Sequence, residues 1–364
     1  MNKNRPVLVI LSPGFPENEA DTACLPAQQD LVRLLRQIRP SLELVIVAFQ
    51  YPFTGKPYQW NGVPVIPLNG RNRGKLHRLL TLVRAWYTIK RIKKDSHIIG
   101  LFSFWLTECA FIGKWFGHYH RIRHHCWMLG QDARPGNKYV RYIRPTSEEL
   151  VALSDFLVDE FYRNYGIRPG HVVPSGIDPE AFASRSIERT IDLLAVGSLI
   201  PLKQHAVFLQ TVYALKEQLP NVVAVICGKG PEKARLETLI RQYGLEANVH
   251  LAGERPHGEV LHLMQQSRIL LHPSSYEGFG TVCLEALYAG AQVISFCRPM
   301  KAAIAHWHIV AGPDEMIEKT RDLLLREPCD NTPVMTYSML DNARSVLRLF
   351  PYQGISDVIK ESPI

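Results

Sequence analysis

The chain has no hydrophobic run long enough to span a bilayer, no paired cysteine spacing and, from Arg71 to Lys94, no acidic residue. Its longest apolar stretch, near Ile98 to Phe116, is broken by Glu108 and Lys114. That pattern reads as a strand followed by a buried helix, which argues against a membrane span. The apolar run near the start, Val7 to Leu11, is too short for the core of a signal peptide and fits a first buried strand. Seven cysteines occur singly, among them Cys109, Cys227 and Cys283 inside apolar runs. They read as reduced core thiols of a cytoplasmic protein, excluding a disulfide scaffold and a zinc site. No Asp-x-Asp pair stands near a strand end, so no metal is expected.

What is present begins with size. At 364 residues the chain exceeds one ordinary core, and two domains of about 180 residues are expected. Apolar content of 46% and charged content of 21% are those of a globular protein. Charge is uneven: residues 1–180 hold 24 Lys and Arg against 15 Asp and Glu, whereas the remainder is close to neutral. Nine of the basic residues lie between Arg71 and Lys94, where Leu76, Leu79, Leu80, Val83 and Tyr87 recur at helical spacing. Such a helix suits an anionic membrane surface, or else packs its apolar stripe on a sheet while the basic residues face water. Nucleic acid is not expected, because no recognition motif accompanies the charge.

Short apolar runs alternate with helical patterns throughout. Strands are expected at Val7 to Leu11, Leu44 to Phe49, Val63 to Pro67, Ile98 to Phe102, His125 to Leu129 and Glu149 to Leu153. A second set follows at Ile191 to Val196, Val222 to Cys227, Val249 to Leu251, Ile269 to Leu271 and Gln292 to Phe296. Helices between them imply parallel strands with crossovers, hence α/β, Rossmann-like sheets. The pattern gives domains at 1–181 and 190–335, with Phe182 to Thr190 as the polar linker. His118, His120, His124 and His125 crowd together and read as surface or partly satisfied histidines.

Ligands of such sheets sit outside the carboxyl ends of the strands. That rule collects Lys203, Gly228, Arg255 and the segment from Glu277 to Thr281 on one edge. Within this segment, Glu277-Gly278-Phe279-Gly280 precedes an apolar helix that carries Glu285, seven residues separating the two acids. Glycines let the backbone approach a ligand, and a helix beginning near Thr281 and Val282 aims free N–H groups at the same spot. That is an anion site suited to phosphate, flanked by carboxylates that can accept bonds from sugar hydroxyls.

This E-x7-E segment resembles the signature of the retaining, nucleotide-sugar-dependent glycosyltransferases of family 4, which have the GT-B fold. Further matches in the family's order are Val196-Gly197-Ser198-Leu199-Ile200-Pro201-Leu202-Lys203, Ile226-Cys227-Gly228-Lys229-Gly230-Pro231 and Val249-His250-Leu251-Ala252-Gly253. Pro174-Ser175-Gly176-Ile177-Asp178 marks the junction, and the strong matches cover about residues 150–295. The resemblance implies two Rossmann-like domains facing across a cleft, with final helices (336–364) returning to the first. It implies transfer of a sugar from a nucleoside-diphosphate sugar to a glycan or lipid-linked acceptor, in polysaccharide or glycolipid assembly, with no cofactor. Lys203 and Glu277 take the catalytic roles, and Glu285 holds the ribose. Ser198, Gly228, Arg255 and Gly278 to Val282 complete the donor site. Gly14 matches the glycine-rich loop after the first strand, although the usual second glycine is missing. Asn18 and Glu19 on that loop, and Asp132 of Leu129-Gly130-Gln131-Asp132, fall on the acceptor side. Two departures stand out: Ser198 replaces the usual arginine, and Leu129 the usual histidine. They leave open a noncatalytic sugar-nucleotide-binding subunit; a sugar-nucleotide epimerase of the same fold is a further alternative. The acids of Glu17 to Asp30 face either acceptor hydroxyls or water. The expected location is the cytoplasm, with docking on the inner membrane face through residues 71–94.

Overall fold

The computed structural model describes residues 5–22, 24–182, 187–326 and 330–351. It divides into two compact units, one running to Pro174 and resuming at Met339, the other spanning Ser175–Ser338. The first unit contains β1 (Pro6–Gly14), α1 (Pro26–Ile38), β2 (Glu43–Tyr51), β3 (Tyr58–Trp60), β4 (Val63–Pro67), α2 (Lys75–Asp95) and β5 (His97–Phe104). It continues with α3 (Glu108–His120), β6 (His124–Met128), α4 (Lys138–Ile143), β7 (Leu150–Ala152), α5 (Asp155–Tyr165) and β8 (His171–Val172). The second holds β9 (Ile191–Val196), α6 (His205–Lys216), β10 (Ala224–Cys227), α7 (Lys233–Gln242), β11 (Val249–Gly253) and α8 (His257–Gln265). It ends with β12 (Ser267–His272), α9 (Thr281–Tyr288), β13 (Gln292–Ser295), β14 (Trp307–Ile309) and α10 (Pro313–Leu325), after which α11 (Met339–Arg348) rejoins the first unit.

Both sheets are doubly wound. The first has the order β3-β4-β2-β1-β5-β6-β7-β8, parallel except for the β3–β4 hairpin. The second, β11-β10-β9-β12-β13-β14, is parallel throughout. Strands covered on both faces need continuous apolar sequence, and β1 and β2 supply it, with Val7 to Leu11 and Leu44 to Phe49 buried. In the second unit Leu193, Phe208, Val212, Leu236 and Met316 share one core with the strands.

The unit boundary falls at Pro174, earlier than the expected linker at 182–190, part of which lies outside the described residues. Residues after Pro174 belong to the second unit because they pair with its far end: Ile177 N donates to Tyr337 O at 3.0 Å, and Phe182 packs edge-on against Tyr288. Of the final helices expected over 336–364, α11 groups with the first unit, and residues past 351 lie outside those described. It packs on α1, Asn342 Nδ2 donates to Pro174 O at 2.6 Å, and Phe350 sits edge-on to Phe102.

Of the two readings open for α2, packing of its bulky apolar stripe on the sheet is not what the structure has. Thr81, Ala85, Ile89 and Ile92 face inward, whereas Leu76, Leu79, Leu80, Val83 and Tyr87 are exposed, Leu76 by 69% and Tyr87 by 64%. The buried stripe starts with Thr and Ala, so its sequence signal is weaker than that of the leucines outside. His124 and His125 correct a second expectation: both are buried in β6.

A β-carbon on Gly100 would lie 2.1 Å from the Phe350 ring, so glycine is what lets the C-terminal segment seat on β5. Phe350→Ala should cost about 3–5 kcal/mol in urea unfolding. Gly100→Ala should destabilise the wild type but much less the Phe350→Ala background. Additive effects would show that the ring does not rest on this strand.

Candidate active site

In the second sheet the strand order reverses between β9 and β12, the place where doubly wound sheets bind ligands. The turn after β9 and the loop after β12 meet there. Lys203 ends a short turn of 3-10 helix, and its ammonium is paired with Glu277 Oε1. His272, the last residue of β12, places Nε2 3.0 Å from the same oxygen. Both acid and lysine are largely buried, with side chains 17% and 19% exposed. Burial pushes the Glu277 carboxyl up, but the His272 hydrogen bond and the Lys203 charge outweigh it and hold the group at about 2. Burial drives His272 the other way, below its usual value, so it is a neutral donor at pH 7. The acid is therefore ionised and pre-aimed.

Glycines make this edge close-fitting. Gly228 (φ 154°) leaves β10 against the turn after β9, and a β-carbon there would fall 1.9 Å from Gly197 O. Gly280 (φ 85°) is the left-handed residue that caps α9. Behind it the N–H groups of Thr281 and Val282 head the helix, where intrahelical acceptors are lacking. Thr281 Oγ1 bonds Ser175 Oγ at 2.9 Å, anchoring this helix end. On the same helix Glu285 accepts a hydrogen bond from His257 Nε2 at 2.8 Å, its side chain 17% exposed.

The structure thus brings Lys203, Glu277, Gly228 and the start of α9 to one edge. Two expectations change. Phe279 is 2% exposed and edge-on to Trp307 and Tyr337, so its ring builds the core and only its backbone faces the edge. Arg255 folds back on its own loop, with Nε donating to Ala252 O and Nη1 lying 3.4 Å from Glu259. Ser198 is exposed at the mouth of the turn. Gly278 is buried, without the positive φ of Gly280.

Carboxyl ends of the first sheet gather a second group. Gly14 ends β1 with Tyr51 against it, where a β-carbon would come within 3.3 Å of the tyrosine's own. On the loop beyond, Asn18 and Glu19 are exposed; Asn18 Oδ1 accepts from Ala20 N, and Glu19 Oε1 accepts from Asn61 N of the hairpin. Asp132 is 3% exposed, and its two oxygens accept from Leu106 N and Leu129 N. Burial raises it to about 6 against those bonds. Its place is a clasp between two loops rather than an open acceptor contact. Missed by sequence reasoning was Glu108, buried at the start of α3, which accepts from Gln50 Nε2 at 2.6 Å and the Tyr139 hydroxyl at 2.9 Å.

Against known proteins, the chain has the GT-B fold seen in solved glycosyltransferases. A crystal structure of WaaG, a glycosyltransferase involved in lipopolysaccharide biosynthesis, aligns over 98% of this chain and 100% of its own, with TM-score 0.61 at 18% identity. One of Anabaena HepE with UDP and glucose aligns over 94% and 95%, with TM-score 0.64 at 15% identity. Residues 177–330, within the second unit, match the family Glycosyl transferases group 1. The chain is 32% identical over 164 residues to the gpi3 subunit of phosphatidylinositol N-acetylglucosaminyltransferase from Schizosaccharomyces pombe. It is 28% identical over 179 residues to the lipopolysaccharide glucosyltransferase WaaG of Escherichia coli K12. These matches cover 44% and 43% of this chain, and only 36% and 47% of the relatives' own lengths.

A depressed carboxyl contributes stability that is complete above its unfolded value and fades as pH falls through its folded value. For Glu277 the window runs from about 4.5 down to about 2. The stability difference between wild type and Glu277→Gln, measured by denaturant titration, should shrink across that window. A difference independent of pH would mean that Glu277 is not held ionised by its partners.

Proposed function

We propose that this protein is a retaining glycosyltransferase that moves a sugar from a nucleoside diphosphate to a hydroxyl of a glycan or lipid-linked acceptor. The observation that carries this is the Lys203–Glu277–His272 cluster at the switch point, beside the free N–H groups of α9. As the glycosidic bond breaks, charge builds on the diphosphate, where Lys203 and those N–H groups would stabilise it without reorganising. Lys203 and His272 both engage Oε1 of Glu277, and Oε2 would accept from sugar hydroxyls. Glu285, steadied by His257, would accept both ribose hydroxyls. In a same-face reaction through an oxocarbenium-like state, the incoming hydroxyl passes its proton to the leaving phosphate, so no side-chain base is required.

Relatives named for transfer to phosphatidylinositol and for lipopolysaccharide support an acceptor in glycolipid or polysaccharide assembly. HepE, solved with UDP and glucose, supports a nucleotide donor. No helix among the described residues is long and apolar enough to cross a membrane. The exposed apolar and basic side chains of α2 instead suit adsorption to an anionic bilayer.

The direct test is nucleotide release from a panel of UDP- and GDP-sugars; silence with every donor, despite tight nucleotide binding, would favour a noncatalytic binding subunit. In the active case Lys203→Ala should lower turnover about 10²–10³-fold. By calorimetry it should lose affinity for the nucleoside diphosphate but little for the monophosphate. Glu285→Ala should weaken both at least tenfold, as expected for a ribose contact. Equal losses for the two nucleotides in Lys203→Ala would remove the lysine from the second phosphate.

Adsorption is tested separately. Pelleting with phosphatidylglycerol vesicles should fall with added salt and when Lys90, Arg91, Lys93 and Lys94 become Gln, each basic residue contributing about 1 kcal/mol. Failure of the wild type to pellet at low salt would reduce α2 to a solvated face.

A further inference from the structure

The first unit also has a cavity at the opposite, amino end of its strands. It encloses about 1240 Å³ between the last turn of α3, the starts of β6 and β8, the segment 146–149 and α11. Its wall carries Lys114, Arg121, Arg123 and Arg348 against two acids, Glu148 and Glu149. Glu149 is already committed: Oε1 lies 2.5 Å from Lys114 Nζ, and Oε2 accepts from Thr146 N. Three exposed guanidinium groups therefore face one remaining carboxylate. Among the described residues Arg121, Arg123 and Arg348 form no ion pair of their own.

His124 and His125 lie beneath the cavity at 7% and 9% exposure, with Nδ1 of each buried away from it. The His124 ring is otherwise held by Ser103 Oγ at 2.8 Å, while that of His125 lies edge-on to His171 and Phe350. Burial lowers the two imidazoles to about 3 and about 4, so both are neutral near pH 7 and add no charge to the floor. The guanidinium forks on the wall match the oxygens of a phosphate group. The volume exceeds a bare phosphate, and Val172 and Leu349 give the rest of the wall an apolar face for an organic body.

We propose that this cavity is a second ligand site, which takes a phosphate ester through Arg121, Arg123 and Arg348. The ester belongs either to a soluble metabolite or to the headgroup of an anionic lipid; the chemistry of recognition is the same. The site does not depend on the sugar-nucleotide reading of the second unit.

The test uses the full chain with glycerol 3-phosphate as probe, followed by calorimetry at low ionic strength. Arg123→Gln with Arg348→Gln, both changes at exposed side chains, should weaken binding at least tenfold. Lys203→Ala should leave it unchanged, because that lysine lies in the other unit. Absence of saturable binding, or loss on Lys203→Ala with retention in the double variant, would overturn the proposal. Pelleting with phosphatidylglycerol vesicles identifies the source. A double variant that pellets poorly, with glycerol 3-phosphate competing in the wild type, assigns the headgroup. Unchanged pelleting alongside lost probe binding assigns a soluble ester.

Discussion

The pairing of Lys203 with Glu277 is the contact on which the second unit's edge depends. The two residues are 74 positions apart and meet because β9 and β12 are neighbours in the sheet. Neither charge would be tolerable alone at this burial, and removing one partner leaves the other uncompensated. His272 adds a donor from the end of the strand itself, so the carboxylate is fixed by two elements at once. The result is an ionised acid and a cation held in place before any ligand arrives. Such preorganisation is what makes electrostatic stabilisation effective in a water-poor site.

Charge accounting at that edge follows from the same pair. Ser198 stands exposed where relatives of the resembling family carry a cation, and Arg255 is engaged by its own loop and Glu259. Lys203 is therefore the buried side-chain cation at the turn, and its charge is shared with Glu277. The remaining positive potential comes from the backbone at the start of α9, whose Gly280 cap lets the chain enter in the left-handed region. Such a site relies on geometry more than on net charge, so small shifts of the β12–α9 loop matter more here than at a site with two free cations.

Much of this was legible in the sequence, for identifiable reasons. Continuous apolar runs ending in glycine mark parallel strands, and the strand-end rule then places Lys203, Gly228 and Glu277 on one edge. What was missed has no local signal. His272 and His257 read as any strand-end or helix-start histidine, and only folding brings the second to Glu285, 28 positions away. Phe279 sits inside a ligand loop by sequence, yet its large apolar ring is buried beside Trp307. Strands β3, β8 and β14 span only two or three residues, too short for a period to register. In α2 the bulky leucines outweigh the Thr81 and Ala85 stripe in any reading by hydrophobicity, so sequence left the inner face undecided and it is the weaker stripe that is buried.

That arrangement of α2 gives the uneven charge of the chain a physical location. An exposed row of Leu76, Leu79, Leu80, Val83 and Tyr87 is costly in water unless something covers it. Basic residues continue the same helix to Lys94, and Lys90 and Lys93 act electrostatically on His120 at the end of α3. From His120 the chain runs through Arg121 and Arg123 to the cavity above His125. The excess positive charge of residues 1–180 therefore lies mainly in the segment 71–94, with the strand-end basin adding Arg121 and Arg123. By contrast the carboxyl end of the same sheet carries buried carboxylates, Glu108 and Asp132, satisfied by neutral donors. One sheet thus presents an acidic, hydrogen-bonded end and an opposite end lined by guanidinium groups, and an anionic surface or ester would be drawn to the second without disturbing the first.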